Sequence, residues 1–185
     1  MKTKAVLRQK LREKLKRQSR PSRRKKSLLI GEKLLSGMEF KRAAVICFYV
    51  SKPLEVDTRN AIRQSLKLGK SVLVPKMDPK KKQLLLYEIK SLRDLKLGAF
   101  GVLEPVPART RKAKYSEVNC VVVPGVAFDL RKNRLGHGLG FYDRFLAKLP
   151  AKTKKVGLAF FFQVVNHIPR EAHDVVMNRV LTEKS

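Results

Sequence analysis

The sequence predicts an α/β fold: a single three-layer α/β/α domain over residues 1–185, with a mainly parallel, Rossmann-like sheet. Three observations carry this. Apolar runs at 43–50, 120–123 and 156–162 show no polar alternation, the mark of strands buried on both faces. Between them lie stretches whose apolar residues recur three or four apart, the helical spacing. The two kinds alternate along the chain without an internal repeat, which favours helices on both sides of one sheet.

The elements follow in order. Thr3 to Gln18 reads as a helix, because Leu7, Leu11 and Leu15 form a narrow stripe among lysines and arginines. Ser19 to Lys26, with Pro21 and five basic residues, is expected to break it. A second helix is predicted from Ser27 to Leu35, ending at Gly37. Ala43 to Val50 is the first strand. Asp57 or Thr58 is placed to cap the helix carrying Ile62 and Leu66, which Gly69 ends. Val72 to Val74 is a short strand cut off by Pro75. Lys80-Lys81-Lys82 is a turn into a second arm at Leu84 to Ile89, and Leu97 to Pro105, with two glycines and a proline, is a constrained loop. Cys120 to Val123 is the central strand, Tyr142 to Leu149 a helix, Val156 to Phe162 a strand and Val180 to Glu183 a last short one.

The 43 Lys and Arg against 15 Asp and Glu leave a formal charge of +28. Such a field draws anions of every kind, including nucleotides, polyglutamylated small molecules and RNA. Cys47 and Cys120 sit in apolar runs and are expected to be buried free thiols. No uncharged run approaches the roughly 18 residues of a membrane span, and no apolar region follows the basic N-terminus, so a cytoplasmic protein is expected.

The densest motif is Arg134-Leu135-Gly136-His137-Gly138-Leu139-Gly140-Phe141-Tyr142-Asp143. Glycines at every second position, between a strand and a helix, allow close approach to the main chain and leave N–H groups for an anion. Arg134 offers a bidentate donor for the same anion. The run is neither a P-loop nor a dinucleotide fingerprint. Read alone, it is equally a flexible surface turn.

With its surroundings, the stretch from Pro124 through Asp143 resembles the long signature of the 5-formyltetrahydrofolate cyclo-ligase (5,10-methenyltetrahydrofolate synthetase) family. The similarity extends to Lys4-Ala5-Val6-Leu7-Arg8, to Ser51 through Thr58, to Gly98 through Pro105 and to Phe162 through Asp174. It implies ATP- and Mg²⁺-dependent closure of 5-formyltetrahydrofolate to the 5,10-methenyl form, releasing ADP and phosphate. It also implies roles. Lys4, Ala5, Val6, Leu7 and Arg8, together with Arg134 through Tyr142, would contact ATP, with Arg134 and Lys4 acting in catalysis. Tyr49, Val50, Glu55 and Tyr142 would line the folate pocket. Asp143 and Asp174 match positions to which the family assigns magnesium. His137, Leu139 and Phe141 depart from the residues common there. His167 and His173 are not spaced for a zinc site. The implied partner is the small folate, with or without a polyglutamate tail. A monomer is expected, with nucleic-acid contact no more than electrostatic. The competing class is a basic RNA-binding protein without catalytic activity, against which stands the lack of interleaved aromatics.

Overall fold

The computed structural model describes residues 3–98, 101–171 and 174–184. Its helices are α1 (Lys4–Arg17), α2 (Arg20–Ser36), α3 (Met38–Lys41), α4 (Arg59–Lys67) and α5 (Phe141–Ala147). Its strands are β1 (Val45–Cys47), β2 (Ser71–Asp78), β3 (Gln83–Ile89), β4 (Leu95–Leu97), β5 (Leu103–Pro105) and β6 (Arg111–Ala113). The series continues with β7 (Cys120–Val123), β8 (Ala127–Asp129), β9 (Arg134–Leu135), β10 (Lys154–Leu158), β11 (Val164–Val165) and β12 (Arg179–Leu181).

The main sheet has seven strands in the order β12-β10-β7-β1-β2-β3-β6. Pairings from β12 through β2 are parallel, and those of β2 with β3 and β3 with β6 are antiparallel. Successive residues of the central strands divide between two cores, as pleating requires. Ile46, Val72, Val74, Cys120 and Val122 pack with Ile30 and Leu34 of α2 and Ile62 of α4. Cys47, Leu73, Val121 and Val123 pack with Phe145 and Leu146 of α5 and with Phe128. The three layers are therefore present. A smaller sheet, β11-β8-β9, receives α1: Leu7 and Leu11 pack against Val126, Ala127, Leu135 and Ile168. No helix among the described residues is long and apolar enough to cross a membrane.

Several boundaries differ from expectation. The second helix begins at Arg20, since Ser19 caps it by accepting a bond from the Ser22 amide, and Pro21 lies in the first turn, where a missing N–H costs nothing. It ends at Gly37 in extended backbone (φ −69°), whereas Gly69 closes α4 in the left-handed region (φ 72°). Pro75 does not end β2. Leu73 turns its carbonyl to the Phe48 amide, so Pro75, two residues on, faces the same side, past the end of β1. The first strand pairs only from Val45 to Cys47. The fourth helix has Thr58 at its cap position, but the capping acceptor is Asp57 Oδ1, bonded to the Arg59 amide at 3.0 Å. The third apolar run pairs at 154–158 and then bends into a short turn, Phe161–Gln163.

Candidate active site

The chain leaves β1 toward β2 on one side of the sheet and leaves β7 toward β10 on the other. The carboxyl ends of these two neighbours diverge there, and α/β sheets open a crevice at such a point. A cleft of about 960 Å³, partly open to solvent, lies there.

One side is built by the chain beyond β1. Tyr49 and Val50 line the cleft. The Tyr49 hydroxyl donates to the Val56 carbonyl at 2.9 Å, and the Thr58 hydroxyl donates to the Tyr49 carbonyl at 2.7 Å. These bonds fold residues 49–58 into a fixed bracket. Glu55 projects from it into the cleft. Its Oε2 accepts from the Lys52 amide at 2.8 Å, and its Oε1 lies 3.5 Å from His137 Nε2. Burial keeps the Tyr49 and Tyr142 hydroxyls protonated far above the ordinary tyrosine range. Both rings therefore present neutral surfaces.

The other side is the glycine loop. Gly136 through Asp143 line the cleft, as does Arg134. Gly138 (φ 105°) and Gly140 (φ 67°) take backbone conformations that side chains with a Cβ rarely adopt. Among the described residues, no backbone bond is donated by the N–H groups of His137, Gly138, Leu139 or Gly140, so the loop offers donors to an anion. Arg134 is buried, with only 4% of its side chain exposed. Its Nη2 donates to Asp143 Oδ1 at 2.5 Å and its Nη1 to the Pro124 carbonyl at 3.3 Å, while its Nε has no partner. The guanidinium fork is thus set by Asp143. Asp143 lies in the first turn of α5, where Gly140 holds the cap position, so its carboxylate serves Arg134 and not the helix end. Gln163, also buried, donates its amide to the carbonyls of Gly125 and Val126 and fixes the exit from β7.

The first two turns of α1 pack against this loop. Arg8 Nε donates to the Gly136 carbonyl at 2.9 Å. Ala5 and Arg8 share a surface groove with His137, which also borders the cleft. Val6 is exposed, and Leu7 and Leu135 spend their side chains in the small core. Lys4 Nζ donates to Asp174 Oδ2 and Glu171 Oε1, each at 2.9 Å. Burial disfavours its charge, but these carboxylates outweigh that and hold its pKa above the usual lysine value. Asp174 also accepts from the Glu171 amide at 2.8 Å. The two expected magnesium ligands therefore stand apart in the chain, Asp143 in α5 and Asp174 in the segment before β12, each with its own basic partner. Among the described residues, no group of three or more His, Cys, Asp or Glu is arranged to hold a metal.

The family model for 5-formyltetrahydrofolate cyclo-ligases matches residues 1–183. This chain belongs to that family. The probable 5-formyltetrahydrofolate cyclo-ligase of Schizosaccharomyces pombe is 31% identical over 170 residues, 84% of this chain and 83% of that protein. The 5-formyltetrahydrofolate cyclo-ligase of Mus musculus is 27% identical over 97% of this chain and 93% of its own length. The NMR structure of Aquifex aeolicus 5,10-methenyltetrahydrofolate synthetase superposes with a TM-score of 0.87 at 37% identity, over 98% of this chain and 90% of that one. These matches account for the three-layer architecture.

Sequence reasoning brought Tyr49, Val50, Glu55 and the glycine loop to one place, and the cleft unites them. It missed the remaining wall. Pro75, Met77 and Leu84 of the β2–β3 hairpin line the cleft with Val102, Leu103 and Glu104. The glycines and Pro105 around Glu104 marked a constrained loop without saying what it faced. His173 lies outside the described residues, as do Ala99 and Phe100 of that loop.

Proposed function

We propose that this chain closes 5-formyltetrahydrofolate to 5,10-methenyltetrahydrofolate with ATP and Mg²⁺ in the cleft between the Tyr49–Glu55 bracket and the glycine loop. The observation that carries this reading is the meeting of two unlike surfaces in one cavity: a largely apolar wall from which Glu55 projects, and a loop of undonated amides beside the buried Arg134, with Arg8 bonded to the loop from outside. ATP supplies the activation, converting the formyl oxygen into a phosphate ester that can leave when N10 attacks. The protein's part is positioning and charge stabilisation, which suits a cleft whose described lining holds no serine or cysteine.

Glu55 has one oxygen held by its own loop and the other turned to the cleft, where it can accept from the donor-rich edge of a pterin. Tyr49, Val50 and Met77 give the flat ring an apolar bed and keep water from the activated carbon. The amides of His137 through Gly140 and the Arg8 guanidinium offer bonds to phosphate oxygens. Arg134, with an unsatisfied Nε, sits behind them as a preorganised charge. Asp143 is the carboxylate in the cleft that fits Mg²⁺, an ion that takes few protein ligands and brings water and phosphate with it. Asp174, bonded to Lys4, holds that lysine at the start of α1, one turn from Arg8.

The test is the near-ultraviolet absorbance of the methenyl product. It should rise when purified protein meets 5-formyltetrahydrofolate, ATP and Mg²⁺, and stay flat when ATP or the metal is withheld. A flat trace from folded protein across several nucleotides and metals would overturn the reading.

A further inference from the structure

The β4–β5 hairpin carries a buried carboxylate that the mechanism above leaves unused. Glu104 is 5% exposed. Its Oε1 accepts from the Met77 amide at 3.2 Å, and its Oε2 accepts from Lys76 Nζ at 3.0 Å. Both partners belong to β2, which Glu104 reaches from across the hairpin's side of the sheet. Gly98 closes on the same carboxylate. A Cβ there would lie 2.4 Å from Glu104 Oε2 and 2.7 Å from its carboxyl carbon, so no larger residue fits while Glu104 stays in place. The hairpin is otherwise joined by the short β4–β5 ladder and by the Gly98 amide, which donates to the Val102 carbonyl at 2.8 Å.

A buried charge is a costly way to brace a hairpin, because an apolar side chain of similar volume holds two segments together with less desolvation. What a carboxylate adds is direction. Two oxygens bound to two successive residues of β2 fix the hairpin's register along that strand. Met77, whose amide is bound, lines the cleft, and so do Val102 and Leu103, the residues just before Glu104. The spacing Gly98, Glu104 and Pro105 is therefore one device: a glycine that makes room, a carboxylate that fills the room, and a proline at the end of the strand. We propose that Glu104 is a positioning residue for the folate, setting the wall of Met77, Val102 and Leu103 against which the ring system lies. This rests on the reading that the cleft binds folate. It assigns Glu104 no contact with ATP and no role in phosphoryl transfer.

Two variants test it in the absorbance assay, with the wild type run alongside. Glu104→Gln keeps the shape but sets an amide against two donors. Gly98→Ala leaves both charges in place and displaces the carboxylate by one methyl. Each should raise the KM for 5-formyltetrahydrofolate about tenfold, the scale of a misplaced positioning group, while the KM for ATP stays within about twofold. Equilibrium titration with folate alone should weaken by the same factor. Unchanged folate KM in both variants would overturn the proposal, as would an equal rise for ATP. A fall in Tm with both KM values unmoved, or loss of fold in both, would reduce Glu104 to a core brace and end it. If Glu104→Gln alone fails to fold, Gly98→Ala carries the decision. An inactive wild type would instead strike the cyclisation reading itself.

Discussion

On the glycine-loop side of the cleft, cations are tied to carboxylates: Arg134 to Asp143, and Lys4 to Asp174 and Glu171. On the other side, carboxylates are anchored by backbone amides, Glu55 by that of Lys52 and Glu104 by that of Met77, with Lys76 as a second partner of Glu104. The first arrangement holds positive charge in place without cancelling it through a mobile counterion. The second holds negative acceptors and orients an apolar wall. Both are set before any ligand arrives, which is the condition for electrostatic preorganisation. The contrast teaches where damage should fall. Losing a cation should cost turnover and nucleotide use, and losing a carboxylate on the bracket or hairpin should cost folate binding.

The hardest blow to this division is Arg134→Ala. It should lower turnover about a hundredfold or more, and Arg134→Lys should restore only part, because an ammonium cannot reproduce the planar fork. It should also lower Tm, since Asp143 is left without its partner. Turnover and Tm on the same samples separate the two effects, and near-wild-type kinetics would detach the loop from the reaction. Next comes Glu55→Gln. Loss of a charged hydrogen bond of about 1.5–3 kcal/mol predicts a rise of roughly ten- to a hundredfold in the folate KM. A rise in the ATP KM alone would place Glu55 on the wrong side of the comparison. A smaller effect is expected of Asp143→Asn, which should raise the Mg²⁺ needed for half-maximal rate by about tenfold while the fold persists. An unchanged metal dependence would leave Asp143 as the anchor of Arg134 alone.

The smallest effect concerns pH. Burial disfavours the Asp57 charge, but the Arg59 side chain and amide and the Ser51 hydroxyl outweigh it, so Asp57 ionises below the ordinary aspartate range. A depressed folded-state pKa gives stability that is present above the unfolded value and lost as pH falls through the folded one. Asp57→Asn should therefore lower Tm in the neutral region, where the charge contributes, and converge on the wild type at low pH, so that the acid limb of a Tm-against-pH curve flattens. An unaltered acid limb would show that the bracket does not depend on that charge.

How much of this was legible in the sequence depended on whether the signal was local. Buried strands such as Cys120–Val123 announce themselves by composition, and the glycine loop by spacing. Pro21 and Pro75 misled because proline breaks an element only where its missing N–H would have had a partner, and at the first turn of α2 and beyond the end of β1 it has none. The ion pair of Arg134 with Asp143, nine residues apart, turned an expected phosphate fork inward. The bond from Glu104 to Met77 spans 27 residues, and nothing local at either end foretells it. A motif gives away the residues that touch a ligand more readily than those that hold the wall behind it.

The middle of the sheet has one more consequence. Cys47 and Cys120 lie on adjacent strands, β1 and β7, and both are buried. Burial raises both thiols, that of Cys120 to about 12, so almost no thiolate exists at neutral pH. Since the thiolate is the form that reacts, an alkylating reagent meets these sulfurs only when the two strands part. The rate of labelling in native buffer would thus serve as a clock, counting how often these two buried strands part.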